Sequence, residues 1–184
     1  AKQSRAKRSG ARIDMREKIY IYESLKNRFI IFKKNIINLS KSNIKKYCDK
    51  YSAHGIMIYD IKYNFNNNQY NINAEIINSD GSNGGFSGNG LRCLAEHIFN
   101  NYKTYFDNKL FIKISDNIYQ VIQTKDTISC EFDLNKKIYL YKNFFYIDVG
   151  NPHLLYESSK NHLDFIKFIN NKVIKNPDYL KFNI

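Results

Sequence analysis

The 184-residue chain has no tryptophan, only two prolines and only three cysteines. Without Trp, the bulk of any core falls to the 15 tyrosines, the 13 phenylalanines and the aliphatic residues. Cys48, Cys93 and Cys130 lie far apart and form no CxxC pair. An odd, sparse set excludes a disulfide framework and a cysteine-rich zinc site, and suits free thiols in a reducing compartment. No metal is expected. No apolar run approaches the roughly 20 residues of a membrane-spanning helix, so no membrane partner is expected. Residues 1–14 also lack the apolar stretch of a secretory signal.

What is present is enough for a folded core: 43% hydrophobic residues and 15% aromatic. The length suits one domain, or one domain and part of a second. Asn occurs 25 times, and Ile and Lys are also heavy. This is the composition of an AT-biased genome, so Asn-rich stretches alone carry little functional weight. The net charge of +12 is unevenly placed. Residues 1–50 hold 15 Lys/Arg against four Asp/Glu, whereas residues 51–184 hold 14 against 13. The basic character belongs to the leading end.

Residues 1–14, AKQSRAKRSGARID, carry Lys2, Arg5, Lys7, Arg8 and Arg12 and almost nothing apolar. Such a segment cannot bury enough surface to fold alone and is expected to be an extended arm. Three origins are open: a cloning remnant, a remnant of or sequel to an organellar targeting segment, or an arm that contacts RNA or phosphate and releases counterions. Met15 reads as an older start site beside which the globular protein begins.

Lys18–Glu23 and Arg28–Lys33 are β-rich runs separated by Ser24-Leu25-Lys26-Asn27. Ser40 or Ser42 can cap a helix to about Lys50, with Lys41, Lys45 and Lys46 outward and Ile44, Tyr47 and Cys48 inward. Those lysines are either a solvated face or a second RNA contact. Gly55–Asp60 is a short strand and Asn64–Asn73 a polar hairpin region. Gly90–Asn101 is an amphipathic helix with Leu91, Leu94, Ala95, Ile98 and Phe99 on one face. Then come strands at Leu110–Ser115, Ile118–Gln123, Ile128–Leu134 and Phe144–Val149. Asp116-Asn117 is expected as a two-residue hairpin turn. Ser158–Asn171 reads as helix.

The chain is organised around Ile76–Ala95, IINSDGSNGGFSGNGLRCLA. A strand enters a glycine-rich turn and a helix leaves it. Chains bend this way when backbone N–H groups must approach an anion. The position for a reactive side chain, just before Gly88-Asn89-Gly90, holds Ser87.

Asn78-Ser79-Asp80-Gly81-Ser82, then Phe86-Ser87-Gly88-Asn89-Gly90-Leu91-Arg92-Cys93, then Val149-Gly150-Asn151-Pro152-His153-Leu154, resemble the diaminopimelate epimerases. The pattern of that family reads roughly N-A-D-G-S, C-G-N-G-x-R-C and V-G-N-P-H, and the order fits from Met15 to about Ile184. Ala53-His54-Gly55-Ile56 looks like the family's G-A-D-G-(L/I), with His54 in place of Asp. Ser24-Leu25-Lys26-Asn27-Arg28-Phe29 looks like its G-L-G-N-D-F.

The resemblance implies an α/β (α+β) fold of two similar domains facing each other across a cleft. Here residues 1–14 would be the arm, 15–125 one complete N-terminal domain and 126–184 part of the second, pseudo-symmetric domain. It implies catalysis without pyridoxal phosphate, and no cofactor is expected. In the family a cysteine thiolate removes the α-proton, and a cysteine from the other domain returns one on the opposite face. Asn27, Asn78, Gly88, Asn89 and Asn151 match its substrate-binding positions, and His153 matches the histidine beside the active site. The first catalytic cysteine falls on Ser87. Cys93 matches a cysteine that is not the base, and is expected to be buried.

The departures weigh as much as the matches. A serine hydroxyl is too weakly acidic to replace a thiolate without a dedicated base. The family's second catalytic cysteine lies beyond the last residue of this sequence. Lys181, within Pro177–Phe182, stands where the family has an asparagine. The matching residues also have plain structural readings. The asparagines can hydrogen-bond turn backbones, the glycines can supply positive φ, His153 can be a packed or surface residue, and Arg92 can ion-pair near the helix start.

Two functions follow. The first is a catalytically degenerate epimerase-like protein serving as a structural or binding subunit. Other protein subunits would cover its incomplete second domain, with RNA held by residues 1–14 and Lys41, Lys45 and Lys46, as in an organellar ribosome. A mitochondrion or other organelle is the favoured location, with a bacterial cytoplasm as the alternative. The second is a diaminopimelate epimerase of lysine biosynthesis, converting the L,L to the meso isomer, present as a truncated, mutated or split chain. A related amino-acid racemase is a third reading.

Overall fold

The computed structural model describes residues 12–14, 19–34, 40–65, 69–131, 139–141, 144–148 and 152–155. Lys2, Arg5, Lys7, Arg8, Asn151, the helix expected over 158–171 and the 177–182 run lie outside the described residues. The chain divides into two compact units, Ala1–Phe132 and Asp133–Ile184.

The first unit is built on one sheet of eight strands laid down in chain order. They are β1 (Arg12–Asp14), β2 (Ile19–Ser24), β3 (Asn27–Lys33), β4 (Gly55–Asn64), β5 (Gln69–Asn78), β6 (Lys109–Ile114), β7 (Asn117–Gln123) and β8 (Ile128–Glu131). Two helices interrupt them, α1 (Lys41–Tyr51) and α2 (Gly88–Asn101). Neighbouring strands are antiparallel except β3–β4 and β5–β6, which are parallel and joined through α1 and α2. The unit therefore reads hairpin, helix, hairpin, helix, hairpin, with β1 and β8 as outer strands.

The burial pattern explains why each helix settles where it does. In β2, β3 and β4, the runs Ile19–Tyr22, Phe29–Phe32 and Gly55–Tyr59 are apolar on both faces and need cover on both sides. On one side Ile19, Ile21, Ile30, Phe32 and Ile56 pack with Ile44 and Cys48 of α1. On the other lies α2, whose Leu91, Leu94, Ala95 and Ile98 are wholly buried. Each such Leu or Ile stabilises the fold by about 1.5–3 kcal/mol. Helix α2 packs against β2, β3 and β8, strands from opposite ends of the order. The sheet therefore curls around α2 as a half-barrel.

Three expectations shift in detail. The segment expected as an arm contributes β1, in which Arg12 pairs with Ile21 and Asp14 with Ile19. Its three residues gain backbone partners from the edge of β2, which composition alone cannot reveal. The β6–β7 turn is Ser115-Asp116, one residue before the expected Asp116-Asn117, because Ile114 pairs with Asn117. That register puts Leu110, Ile112, Ile114, Tyr119 and Val121 on the buried side, and a one-residue slip would turn one strand's set outward. The first unit also extends to Phe132, since β8 pairs along β7.

In the second unit, β9 (Tyr139–Tyr141), β10 (Phe144–Asp148) and β11 (Pro152–Leu155) form an antiparallel sheet with β10 central. Ile147 pairs with His153, and Ile147 and Leu154 are buried.

Candidate functional site

The site begins with the register of three strands. Phe29 of β3 pairs with Gly55 of β4, and Gly55 pairs with Asn78 of β5. Asn27, Gly55 and Asn78 therefore share one end of the sheet, although they are far apart in sequence. The connection from β5 to α2 leaves from this end, so the N-terminus of α2 lies there too. A Cβ on Gly90 would stand 3.0 Å from Met57 Sδ and 3.3 Å from Phe29 Cε1. The absent side chain lets the helix start sit directly on β3 and β4.

The loop between β5 and α2 is tied largely to itself. Asn78 N–H donates to Ser82 O at 2.9 Å, and Gly81 N–H donates to Asn78 O at 2.9 Å. Asn78 Nδ2 donates to Ser82 Oγ at 3.0 Å, so this amide is engaged in shaping the turn. Asp80 Oδ1 accepts from Ser82 N–H at 2.8 Å and from Ser82 Oγ at 2.6 Å. Those bonds, with Lys41 nearby, hold the Asp80 carboxyl below the usual range. Gly81 has φ +81°, and a Cβ there would meet the Lys41 stem at 2.9 Å. Lys41, Lys45 and Lys46 of α1 are exposed, and the first of them lies against this loop.

Ser87 is the N-cap of α2, with extended φ −142° and ψ 115°. Its Oγ accepts from Gly90 N–H at 3.1 Å and its carbonyl accepts from Leu91 N–H at 2.8 Å. The N–H groups of Gly88 and Asn89 open the helix, where no intrahelical acceptor exists, and they carry the positive end of its dipole. An anion is the natural partner for such a pair.

Arg92 connects this helix start to the β2–β3 turn. Its Nη2 donates to Asn89 Oδ1, and its Nε donates to Ser24 Oγ at 3.1 Å. Both of these hydrogen bonds are to neutral oxygens, one on the helix itself and one on the β2–β3 turn. Ser24 is buried and pairs with Asn27 across a turn in which Leu25 and Lys26 have φ 50° and 66°. His54 serves the backbone of β3. Its Nδ1 accepts from Arg28 N–H at 3.1 Å, and its own N–H donates to Arg28 O at 2.8 Å.

None of the three thiols is poised as a base. Burial, with Glu96 adding, pushes Cys93 up to about 12, and burial pushes Cys130 up to about 11. Burial also raises Cys48. Cys93 is 1% exposed, as expected for a residue on the inner face of α2. Among the described residues no group of His, Cys, Asp and Glu could hold a metal ion. A cavity of about 120 Å³ lies where the curled sheet stays open, lined by Glu23, Ser24, Arg92, Glu96 and the β7–β8 turn. A groove of about 530 Å³ runs along β5, β6 and the glycine loop. Neither is lined by Ser87, Gly88 or Asn89. His153, half-buried, belongs to the second unit.

Sequence reasoning missed His97. It is 1% exposed on the inner face of α2, a position its spacing beside Leu94 and Ile98 makes apparent. Its Nε2–H donates to Tyr59 Oη at 2.9 Å and its Nδ1 accepts from Asn101 Nδ2 at 3.2 Å. The rings of Tyr20, Tyr22 and Tyr59 surround it at 4.5, 5.6 and 5.2 Å between centroids. Burial pulls its pKa down to about 4, so it stays neutral and structural.

No family model matches the chain. Over 166 residues it is 26% identical to the diaminopimelate epimerase of Flavobacterium psychrophilum, an alignment covering 86% of this chain and 59% of that protein. The chain thus spans somewhat under two thirds of the length of this relative. A crystal structure of a phenazine biosynthesis protein of the PhzF family from Enterococcus faecalis aligns with TM-score 0.42 and 7% identity. That alignment covers 72% of this chain and 52% of the other.

Proposed function

We propose that this relative of the diaminopimelate epimerases binds the α-carboxylate of an amino-acid ligand at the start of α2 without removing its α-proton. The observation that carries the proposal is Ser87. It occupies the position where the family pattern has its first thiolate, and its Oγ is engaged as the helix cap, accepting from Gly90 N–H at 3.1 Å. A hydroxyl there is not deprotonated near neutral pH and needs an adjacent base to act on a C–H bond. Cys93 offers no substitute, being buried with its thiol raised to about 12. Binding asks less of the site than catalysis does. The free N–H groups of Gly88 and Asn89, with Asn27 and Asn78 at the same end of the sheet, suit a carboxylate and its neighbouring ammonium.

The test is solvent-deuterium exchange at the α-carbons of diaminopimelate, followed by NMR, beside calorimetric binding of the same compound. Binding without exchange is expected. Exchange by the wild-type chain would refute the loss of chemistry, and absence of binding would refute the carboxylate site. The variant Ser87→Cys distinguishes a missing base from a missing pocket, because exchange at one face would reappear only if the pocket is sound.

We also propose that the protein works within a larger assembly containing other protein subunits and RNA. The basic surplus of residues 1–50 and the exposed Lys45 and Lys46 support this second reading. It predicts RNA binding that weakens steeply as salt rises from about 50 to about 200 mM, following counterion release. Salt-insensitive or undetectable RNA binding would remove it.

A further inference from the structure

We infer that Arg92 is a positioning residue, a clamp that holds the β2–β3 turn and the start of α2 as a single receptor. The inference rests on the carboxylate site proposed above and adds what sets its geometry. Asn27 and the Gly88–Asn89 pair stand on segments more than 60 residues apart in sequence. The bridge between those segments is one guanidinium, donating through Nη2 to Asn89 Oδ1 and through Nε to Ser24 Oγ at 3.1 Å.

Three features argue that this bridge is more than incidental packing. First, Ser24 is 5% exposed, so its hydroxyl is removed from water and Arg92 gives it a donor. Second, the turn that follows runs through Leu25 at φ 50° and Lys26 at φ 66°. Both values are unfavourable for side chains with a Cβ, and such a turn persists only where its surroundings hold it. Third, Arg92 is the fifth residue of α2, close to the end where the helix dipole disfavours a cation. A cation placed there serves something other than helix stability. It also adds positive charge beside the N–H groups meant for an anion. The planar guanidinium suits a bridge of this kind, since adjacent donors on one edge reach two oxygens with little freedom, whereas an ammonium is a single rotating point.

The clamp is tested with Ser24→Ala, Arg92→Lys and the double variant, using diaminopimelate as the probe. Each single change is expected to weaken binding about tenfold, as for residues sharing one network. The double variant should be no weaker than Arg92→Lys, because the serine acts only through the arginine. Thermal midpoints are recorded alongside. If Arg92 merely supports the fold, the midpoints fall and the affinity of the folded protein stays within about twofold of wild type; that result overturns the clamp.

A ligand-free readout separates this inference from the functional proposal. The side-chain amide NMR signal of Asn89 should shift on Ser24→Ala in the wild-type background and stay still in the Arg92→Lys background. Should wild-type protein fail to bind diaminopimelate, the carboxylate reading fails while the amide experiment still decides the clamp. An Asn89 signal indifferent to Ser24→Ala in both backgrounds refutes it.

Discussion

Acid should unfold this protein through His97, to an extent that can be worked out in advance. The folded state holds the imidazole at a pKa of about 4, while the unfolded chain returns it to the ordinary 6.5. Below pH 6.5 the unfolded state therefore binds a proton that the native state refuses. The stability His97 contributes as a neutral residue is fully present above pH 6.5 and is lost as pH falls through the interval to about 4. At about 1.36 kcal/mol per unit, the loss is roughly 2 kcal/mol by about pH 5 and roughly 3 kcal/mol by about pH 4. The physical origin is burial: inside the cage of Tyr20, Tyr22 and Tyr59 a charged imidazole would lose the water that stabilises it. Urea unfolding followed by circular dichroism between about pH 7 and about pH 4 should be compared for wild type and His97→Gln. Glutamine keeps an N–H for Tyr59 but does not titrate. Carboxylates contribute alike to both proteins and cancel in the difference. The wild type should start as the more stable protein and lose about 3 kcal/mol more than the variant. Parallel pH profiles would show that the imidazole is not held neutral by burial, and the reasoning would fail.

Three further outcomes are expected. Lys26→Gly should stabilise the protein by about 1 kcal/mol in urea unfolding, because φ 66° is unfavourable for lysine and open to glycine; a loss of stability would mean the lysine side chain is engaged. Ser87→Ala should cost about 1 kcal/mol by removing the cap on Gly90 N–H, and an unchanged midpoint would show that the hydroxyl is not the cap in solution. Cys93 and Cys130, with thiols raised to about 12 and about 11, should react with Ellman's reagent at about pH 8 far more slowly in the native protein than in urea. Equal rates would contradict the burial of Cys93 and the raised thiol of half-buried Cys130.

Much of the architecture was legible in the chain because it depends on local pattern. The alternation in Lys109–Ile114 places Leu110, Ile112 and Ile114 inward, and the spacing of Leu91, Leu94, Ala95 and Ile98 marks the buried face of α2. Ser40 caps α1 as expected, accepting from Asn43 N–H at 3.3 Å. The glycine-rich passage from strand to helix was also readable, since only glycine accepts φ +81° at Gly81 and the close approach at Gly90. The hairpin at Leu25-Lys26 carries no Asn-Gly or Asp-Gly signal, so its left-handed turn was not legible. Arg12–Asp14 could not be recognised as a strand, because three polar-flanked residues pair only when the edge of β2 is already there.

The sequence by itself determined the order of strands and helices from β2 to β8, the serine at position 87 and the kinship with an epimerase, all properties of residue type and spacing. Tertiary structure alone decided what those residues meet. It brought Asn27, Asn78 and the start of α2 to one end of the sheet through strand register, and joined two of those segments through Arg92. It also closed three tyrosines around His97. The physical reason is that hydrogen bonds, burial and the pKa values they govern depend on distance in space, which hydrophobic period and turn propensity do not encode across 68 residues of chain.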